Sequence, residues 1–187
     1  MEPVTLRTDR LVLSLPAETD VDAIFEACQD PGIQRYTTVP SPYQRTHAEG
    51  FIPRVAEHWA KDIEYTWAVR DGDVLAGMIG MYRVGSGAAE IGYWMSPGSR
   101  GRGLLTEASR AVIDWCFASD GLALQRIEWR AVVGNVASAR AARATGFRYE
   151  GLLRQALVSP RGRDDGWIAG LLPGDDRSPQ PWPPLEH

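Results

Sequence analysis

Apolar and polar residues first alternate over Arg10-Leu11-Val12-Leu13-Ser14-Leu15, a strand pattern that Pro16 ends. Thr19 or Asp20 can cap a helix running to about Gln29, with Asp30-Pro31-Gly32 as its stop. Residues 33–46 set Pro40 and Pro42 among aromatic and polar residues and read as a loop, where recognition residues concentrate. Helical spacing returns over 46–62, with Phe51, Val55 and Trp59 near period four. Pro53 inside it predicts a start near Gly50 or a kink.

Residues 65–70 and 74–84 read as strands around the hairpin signal Asp71-Gly72-Asp73, and a third strand covers 89–95. A glycine-rich turn then feeds a helix over 105–118. A strand at 126–133, a short helix at 136–145, and strands at 147–153 and 166–172 follow. The pattern predicts one α/β domain with a mixed sheet over residues 1–174. Residues 175–184 are rich in Gly, Asp and Pro and read as an extended tail that buries little. Leu185-Glu186-His187 matches the start of a vector-encoded histidine tag and carries no functional reading.

Composition narrows the function. A chain of 187 residues suits one domain, and a net charge of -4 argues against nonspecific nucleic-acid binding, which needs a basic surface. No apolar stretch reaches the roughly 18–20 residues of a membrane span, and residues 1–10 lack the apolar centre of a signal peptide. Cys28 and Cys116 have no Cys or His neighbour in sequence, Cys116 reads as packing, and reduced thiols suit the cytoplasm. His47, His58 and His187 show no metal-ligand spacing, so no metal is expected.

Candidate chemistry centres on Arg100-Gly101-Arg102-Gly103. Glycines let successive N–H groups turn into one concavity, and the next helix adds unpaired N–H groups and the positive end of its dipole. Such a turn suits a diphosphate or simply joins strand to helix. A dinucleotide fingerprint fits less well, because a hairpin meander rather than a βαβ unit feeds the turn.

The stretch from Ala89-Glu90-Ile91-Gly92-Tyr93-Trp94-Met95 to Arg100-Gly101-Arg102-Gly103-Leu104-Leu105-Thr106-Glu107-Ala108 resembles the acetyl-CoA motif of GNAT N-acetyltransferases, in the ribosomal-protein-alanine N-acetyltransferase-like branch. The family pattern Arg/Gln-x-x-Gly-x-Gly/Ala falls on Arg100, Gly103 and position 105. There this chain has Leu, which implies a less open pyrophosphate loop. Gly134-Asn135-Val136-Ala137-Ser138-Ala139-Arg140 and Gly146-Phe147-Arg148-Tyr149-Glu150-Gly151-Leu152-Leu153-Arg154 are similar to the branch's second block, and Arg161-Gly162-Arg163-Asp164-Asp165 to its closing hairpin.

The resemblance implies a sheet splayed between strands 90–95 and 126–133, with acetyl-CoA as acyl donor and a primary amine as acceptor. Trp94, Met95 and Ser96 would lie beside pantetheine. Arg100, Gly101, Arg102, Gly103, Leu104, Leu105 and Thr106 would hold the pyrophosphate. The backbone N–H of Met95 is a candidate oxyanion donor. Asn135 is a ligand-bridging amide or a turn cap. Ser138 donates to the leaving thiolate or caps a helix. Glu90 is the preferred base: a carboxylate within an apolar strand is costly unless partnered, used or facing water. Glu150 is an alternative partner for the amine or one half of a salt bridge. Tyr36, Tyr43, Tyr65 and Trp67 are candidates for the acceptor pocket or for the core. Other classes compatible with the sequence are a non-catalytic acyl-CoA-binding or sensory domain and a nucleotide-binding module. Open sheet edges allow a monomer or a homodimer.

Overall fold

The computed structural model describes residues 1–159 and 161–186. Eight strands form one sheet: β1 Leu6–Arg7, β2 Leu11–Ser14, β3 Tyr65–Asp71, β4 Val74–Gly85, β5 Ala88–Met95, β6 Arg126–Val132, β7 Arg148–Ser159 and β8 Gly162–Leu171. Their order is β1-β2-β3-β4-β5-β6-β8-β7. Neighbours pair antiparallel except β5 and β6, which are parallel and joined through α4 (Leu104–Phe117), the crossover that parallel strands need. The other helices are α1 Val21–Ala27, α2 Pro31–Tyr36, α3 Arg45–Ala60 and α5 Val136–Ala144.

The middle strands are covered on both faces. Tyr65 to Val69 are all buried, so β3 reads as a continuous run rather than a clean alternation. On one face Trp67, Val69, Ile79 and Ile91 pack with Leu104, Ala108, Val112 and Cys116 of α4. On the other, Ala68, Leu75 and Met78 meet Ile24 of α1, Ile33 of α2 and Ile52 of α3. Asp20, only 3% exposed, ties this second layer down. Its carboxylate takes both terminal nitrogens of Arg70 at 2.7 and 2.6 Å and the Ala17 N–H at 2.8 Å. These bonds offset the cost of burying its charge.

Three expectations are corrected. Residues 31–36 are helical rather than loop, because Asp30 accepts from the Ile33 N–H at 2.9 Å and Pro31 occupies the first turn. The Asp-Pro-Gly signal therefore starts α2 instead of only ending α1. The closing strands are longer than composition implies and form a hairpin reaching Ser159 and Gly162. The tail has little regular structure, yet Trp182 is fully buried beside Trp129 and donates its indole N–H to the Phe147 carbonyl at 3.0 Å. Leu185 packs against the same core, and His187 of the tag-like ending lies outside the described residues.

Candidate active site

Parallel pairing of β5 with β6 runs from Ala88–Arg126 to Ile91–Trp129 and stops, although β5 continues to Met95 and β6 to Val132. The strands therefore part at their C-terminal ends. The Ser96 N–H donates to the Ala76 carbonyl at 2.9 Å across the β4 side. Alternation then turns the Met95 N–H away from β4, towards the gap. Gly77 faces Met95 in the register, and a Cβ there would lie 2.2 Å from the Trp94 carbonyl oxygen. Only glycine lets the two backbones run so close at the mouth of the splay.

On the helix side, a cleft of about 460 Å³ is lined by the glycine turn and by α4 and α5. Gly101 and Gly103 have φ of 73° and 75°, left-handed values that glycine adopts without strain. The Glu107 N–H bonds to the Gly103 carbonyl as α4 begins, so the N–H groups of Leu104, Leu105 and Thr106 precede any intrahelical acceptor. Leu105 lines the cleft while its side chain packs against the core, so the bulk at this position leaves the hollow open.

Arg100 and Arg102 are less available than their sequence positions imply. Arg100 donates to the Met95 carbonyl at 3.1 Å and pairs with Asp30 at 2.8 Å, which holds the Asp30 carboxyl below its usual range. Arg102 pairs with Asp71 at 2.6 Å. Arg140 of α5 lines the same cleft and has no carboxylate partner among the described residues. The sequence places it in the second family block, two residues beyond Ser138, but gives it no ligand role.

On the opposite side lies a second cleft of about 820 Å³ between α3, β4, β5 and the β7–β8 hairpin. Glu90 lines it, with Oε2 buried and without a hydrogen bond, 3.3 Å from Arg83 and 3.6 Å from Arg130. Burial pushes its carboxyl above the ordinary range, against the opposing pull of both arginines. Tyr36, Thr37, Tyr93, Trp94, Asn135 and Ser138 line both clefts, so the two hollows meet at these residues.

At the junction, Asn135 accepts the Ser138 N–H through Oδ1 at 3.3 Å and caps α5, leaving its amide N–H₂ group as a donor. The Ser138 hydroxyl accepts from the Trp129 indole N–H at 3.0 Å and donates to the Tyr93 hydroxyl at 3.3 Å. Tyr93 in turn donates to the Ser138 carbonyl at 3.1 Å. Burial raises the Tyr93 hydroxyl to about 12, so it stays protonated at neutral pH.

Several predicted residues lie elsewhere. Tyr65 and Trp67 pack in the core with Trp59 and Trp115, at ring distances of 4.8 to 5.9 Å. Strand alternation sends Thr66, their neighbour, to the acceptor cleft instead. Tyr43 and Tyr36 do line that cleft. Glu150 is on β7, which β8 separates from β6. There it forms an ion pair with Arg126 at 2.6 Å and lines neither cleft. Ser96 donates its hydroxyl to the Leu75 carbonyl at 3.2 Å and lies outside the donor-cleft lining, as does Arg102.

The parallel pair that parts at its C-terminal ends and the glycine turn that opens α4 belong to an acetyltransferase domain. Residues 10–148 match the family model described as an acetyltransferase (GNAT) domain, and the chain belongs to that family. It is an N-acetyltransferase. It is 31% identical to the Probable N-acetyltransferase YjcK of Bacillus subtilis over 67% of this chain and 71% of that one. It is 36% identical to the ribosomal-protein-serine acetyltransferase of Escherichia coli over 50% and 52% of the two chains. A GCN5-related N-acetyltransferase from Brucella melitensis superposes with a TM-score of 0.76 at 26% identity, over 92% of this chain and 80% of that one. No helix of the described residues is long and apolar enough to cross a membrane.

Proposed function

We propose that the cleft under α4 and α5 holds acetyl-CoA, that the opposite cleft holds a primary amine, and that the amine attacks the thioester directly in a ternary complex. The meeting of the two hollows at Tyr93, Asn135 and Ser138 carries this reading. Bound acetyl-CoA supplies a thioester carbonyl. The protein supplies position, an oxyanion donor and paths for protons.

In this reading the N–H groups of Leu104, Leu105 and Thr106, with Gly101, Gly103 and Arg140, hold the diphosphate. The strand edge from Trp94 to Met95 aligns the pantetheine arm, and the Met95 N–H faces the developing oxyanion. Asn135 donates to the same arm. An alkylammonium titrates near the lysine range, so the acceptor must lose a proton before it attacks at pH 7. Glu90 takes that proton, directly or through water. Its carboxylate lines the acceptor cleft beside Arg83 and Arg130, and its raised carboxyl brings its affinity for a proton closer to neutral pH. Ser138 donates to the departing sulfur. The acceptor is a protein N-terminus or a small-molecule amine, and the enzyme works in the cytoplasm as a monomer or homodimer.

Free-thiol release from acetyl-CoA against a panel of amines and N-terminal peptides tests the assignment. Saturable release with at least one acceptor is expected. Acetyl-CoA binding with no release on any amine would instead favour a sensory domain.

A further inference from the structure

The acceptor cleft holds more guanidinium groups than proton transfer requires. Arg54, Arg83, Arg130 and Arg161 line it, against the carboxylates of Glu64, Glu90 and Asp164. This local excess contrasts with a chain of net charge -4. Each carboxylate already has a cationic or imidazole neighbour: Asp164 has Arg35 at 3.1 Å, Glu64 has His58 at 3.0 Å, and Glu90 has Arg83 and Arg130. Arg161 directs its terminal nitrogens at the backbone carbonyls of Gln34 and Arg35. Arg54 is different. Among the described residues no acid pairs with it, and its guanidinium lies 5.4 Å from the Phe51 ring centre, beside the cleft. Tyr82, in the same lining, lies opposite Glu90 in the β4–β5 register.

We infer that the acceptor is an amine bearing an acidic group, with its nitrogen at Glu90 and its anion on Arg54. The inference rests on Glu90 as the amine's partner. A planar guanidinium with free N–H groups is suited to bidentate carboxylate recognition, and its exposure limits the expected gain to roughly ten-fold. The carboxylate has two sources: a free amino acid, or an acidic side chain near a peptide N-terminus.

The test compares glycine with glycinamide, and Ala-Asp-Ala-Ala-amide with Ala-Asn-Ala-Ala-amide, with kcat/KM expressed per free-base amine. The acidic member of at least one pair is expected to lead by about ten-fold, and the pair that responds identifies the source. Arg54→Gln should bring the ratio close to one, and Arg54→Lys should restore part of it. A ratio near one in the wild type, or a preference that survives Arg54→Gln, overturns the inference. If neither pair is acetylated, calorimetry on the CoA-bound protein reads the same ratio, and no preference there also overturns it. A Glu90→Gln enzyme that keeps both its turnover and its acid/amide ratio would discard Glu90 alone, which separates the two failures.

A second inference comes from the junction. An indole N–H can only donate, so Trp129 fixes the Ser138 oxygen at 3.0 Å without competing for its proton. The longer 3.3 Å bond to Tyr93 is the one Ser138 can release. The geometry points to Trp129 as a positioning residue that keeps the serine proton available to the sulfur. It rests on Ser138 as proton donor. Trp129 also packs on Trp182, so the control is the Ser138→Ala background.

Trp129→Phe should lower kcat about five-fold in the wild type and under about two-fold in that background, with KM for acetyl-CoA unchanged. Equal losses in both backgrounds, or none in the wild type, overturn the assignment. Ser138→Ala with unchanged turnover removes the reading beneath it. If Trp129→Phe does not fold, 3-benzothienylalanine at position 129 keeps the ring volume and deletes only the donor.

Discussion

The diphosphate end of the donor cleft is a contiguous backbone turn, whereas the acceptor cleft is walled by side chains from distant parts of the chain. On the donor side, Gly101, Gly103 and the first N–H groups of α4 come from a short contiguous stretch, and the gap beyond Ile91–Trp129 exposes a strand edge. On the acceptor side, Tyr43, Arg54, Tyr82, Glu90 and Asp164 converge from positions more than a hundred residues apart. A contiguous backbone cradle suits one constant ligand, because any side chain that preserves the turn preserves the site. A wall assembled from distant side chains can change its ligand by single substitutions while the fold stays intact.

Glu90→Gln should break the acceptor side most severely. About a hundred-fold loss of kcat/KM is expected, within the range for a lost general base. The sign follows from burial: the base works only when ionised and its carboxyl is raised, so wild-type activity falls with decreasing pH above the ordinary glutamate range. The variant should lack that acidic limb, and a pH–rate profile that keeps it would exclude Glu90.

Ser138→Ala probes the shared boundary. Turnover should fall about ten-fold with the acetyl-CoA dissociation constant nearly unchanged, since a thiolate is a good leaving group and needs modest help. Arg161→Ala tests whether the β7–β8 hairpin shapes only the acceptor wall. Losing two exposed charge-assisted bonds to α2 should raise the acceptor KM about five-fold and leave acetyl-CoA binding alone. A matching loss of acetyl-CoA affinity would erase the division between the two sides.

The smallest effect separates cations on the donor side. Arg140→Ala should weaken acetyl-CoA about three- to five-fold at low salt, and less as salt rises. Arg102→Ala should cost under about two-fold, because Asp71 already holds that guanidinium. Calorimetry at two ionic strengths compares them. A larger loss at Arg102 would mean that Asp71 releases it when the ligand binds.

Much of the donor side was legible in the amino-acid order. Arg100 to Thr106 and Asn135 to Ser138 are local patterns, and the turn, the helix start and the α5 cap depend on residues a few positions apart. The acceptor side was not. Tyr65 and Trp67 have the same aromatic character as Tyr36 and Tyr43, and only strand parity and packing on α4 send them to the core. Asp30-Pro31-Gly32 carried both a stop and a start, and the start became visible with the Asp30 cap on Ile33. Composition also hid Trp182, which one indole–carbonyl bond and a pocket beside Trp129 draw out of a polar tail.

By itself, the residue order determined most of the strand and helix succession, α2 and β1 apart, together with the glycine turn and the helix cap, because backbone conformation is set largely by neighbours within a few positions. Tertiary structure alone decided which arginines remain free, which aromatics face a cleft, and that Trp129 reaches Ser138. Those outcomes depend on distances between residues that the chain keeps far apart. Ion pairing and burial act through space, and only folding brings such groups within reach of one another.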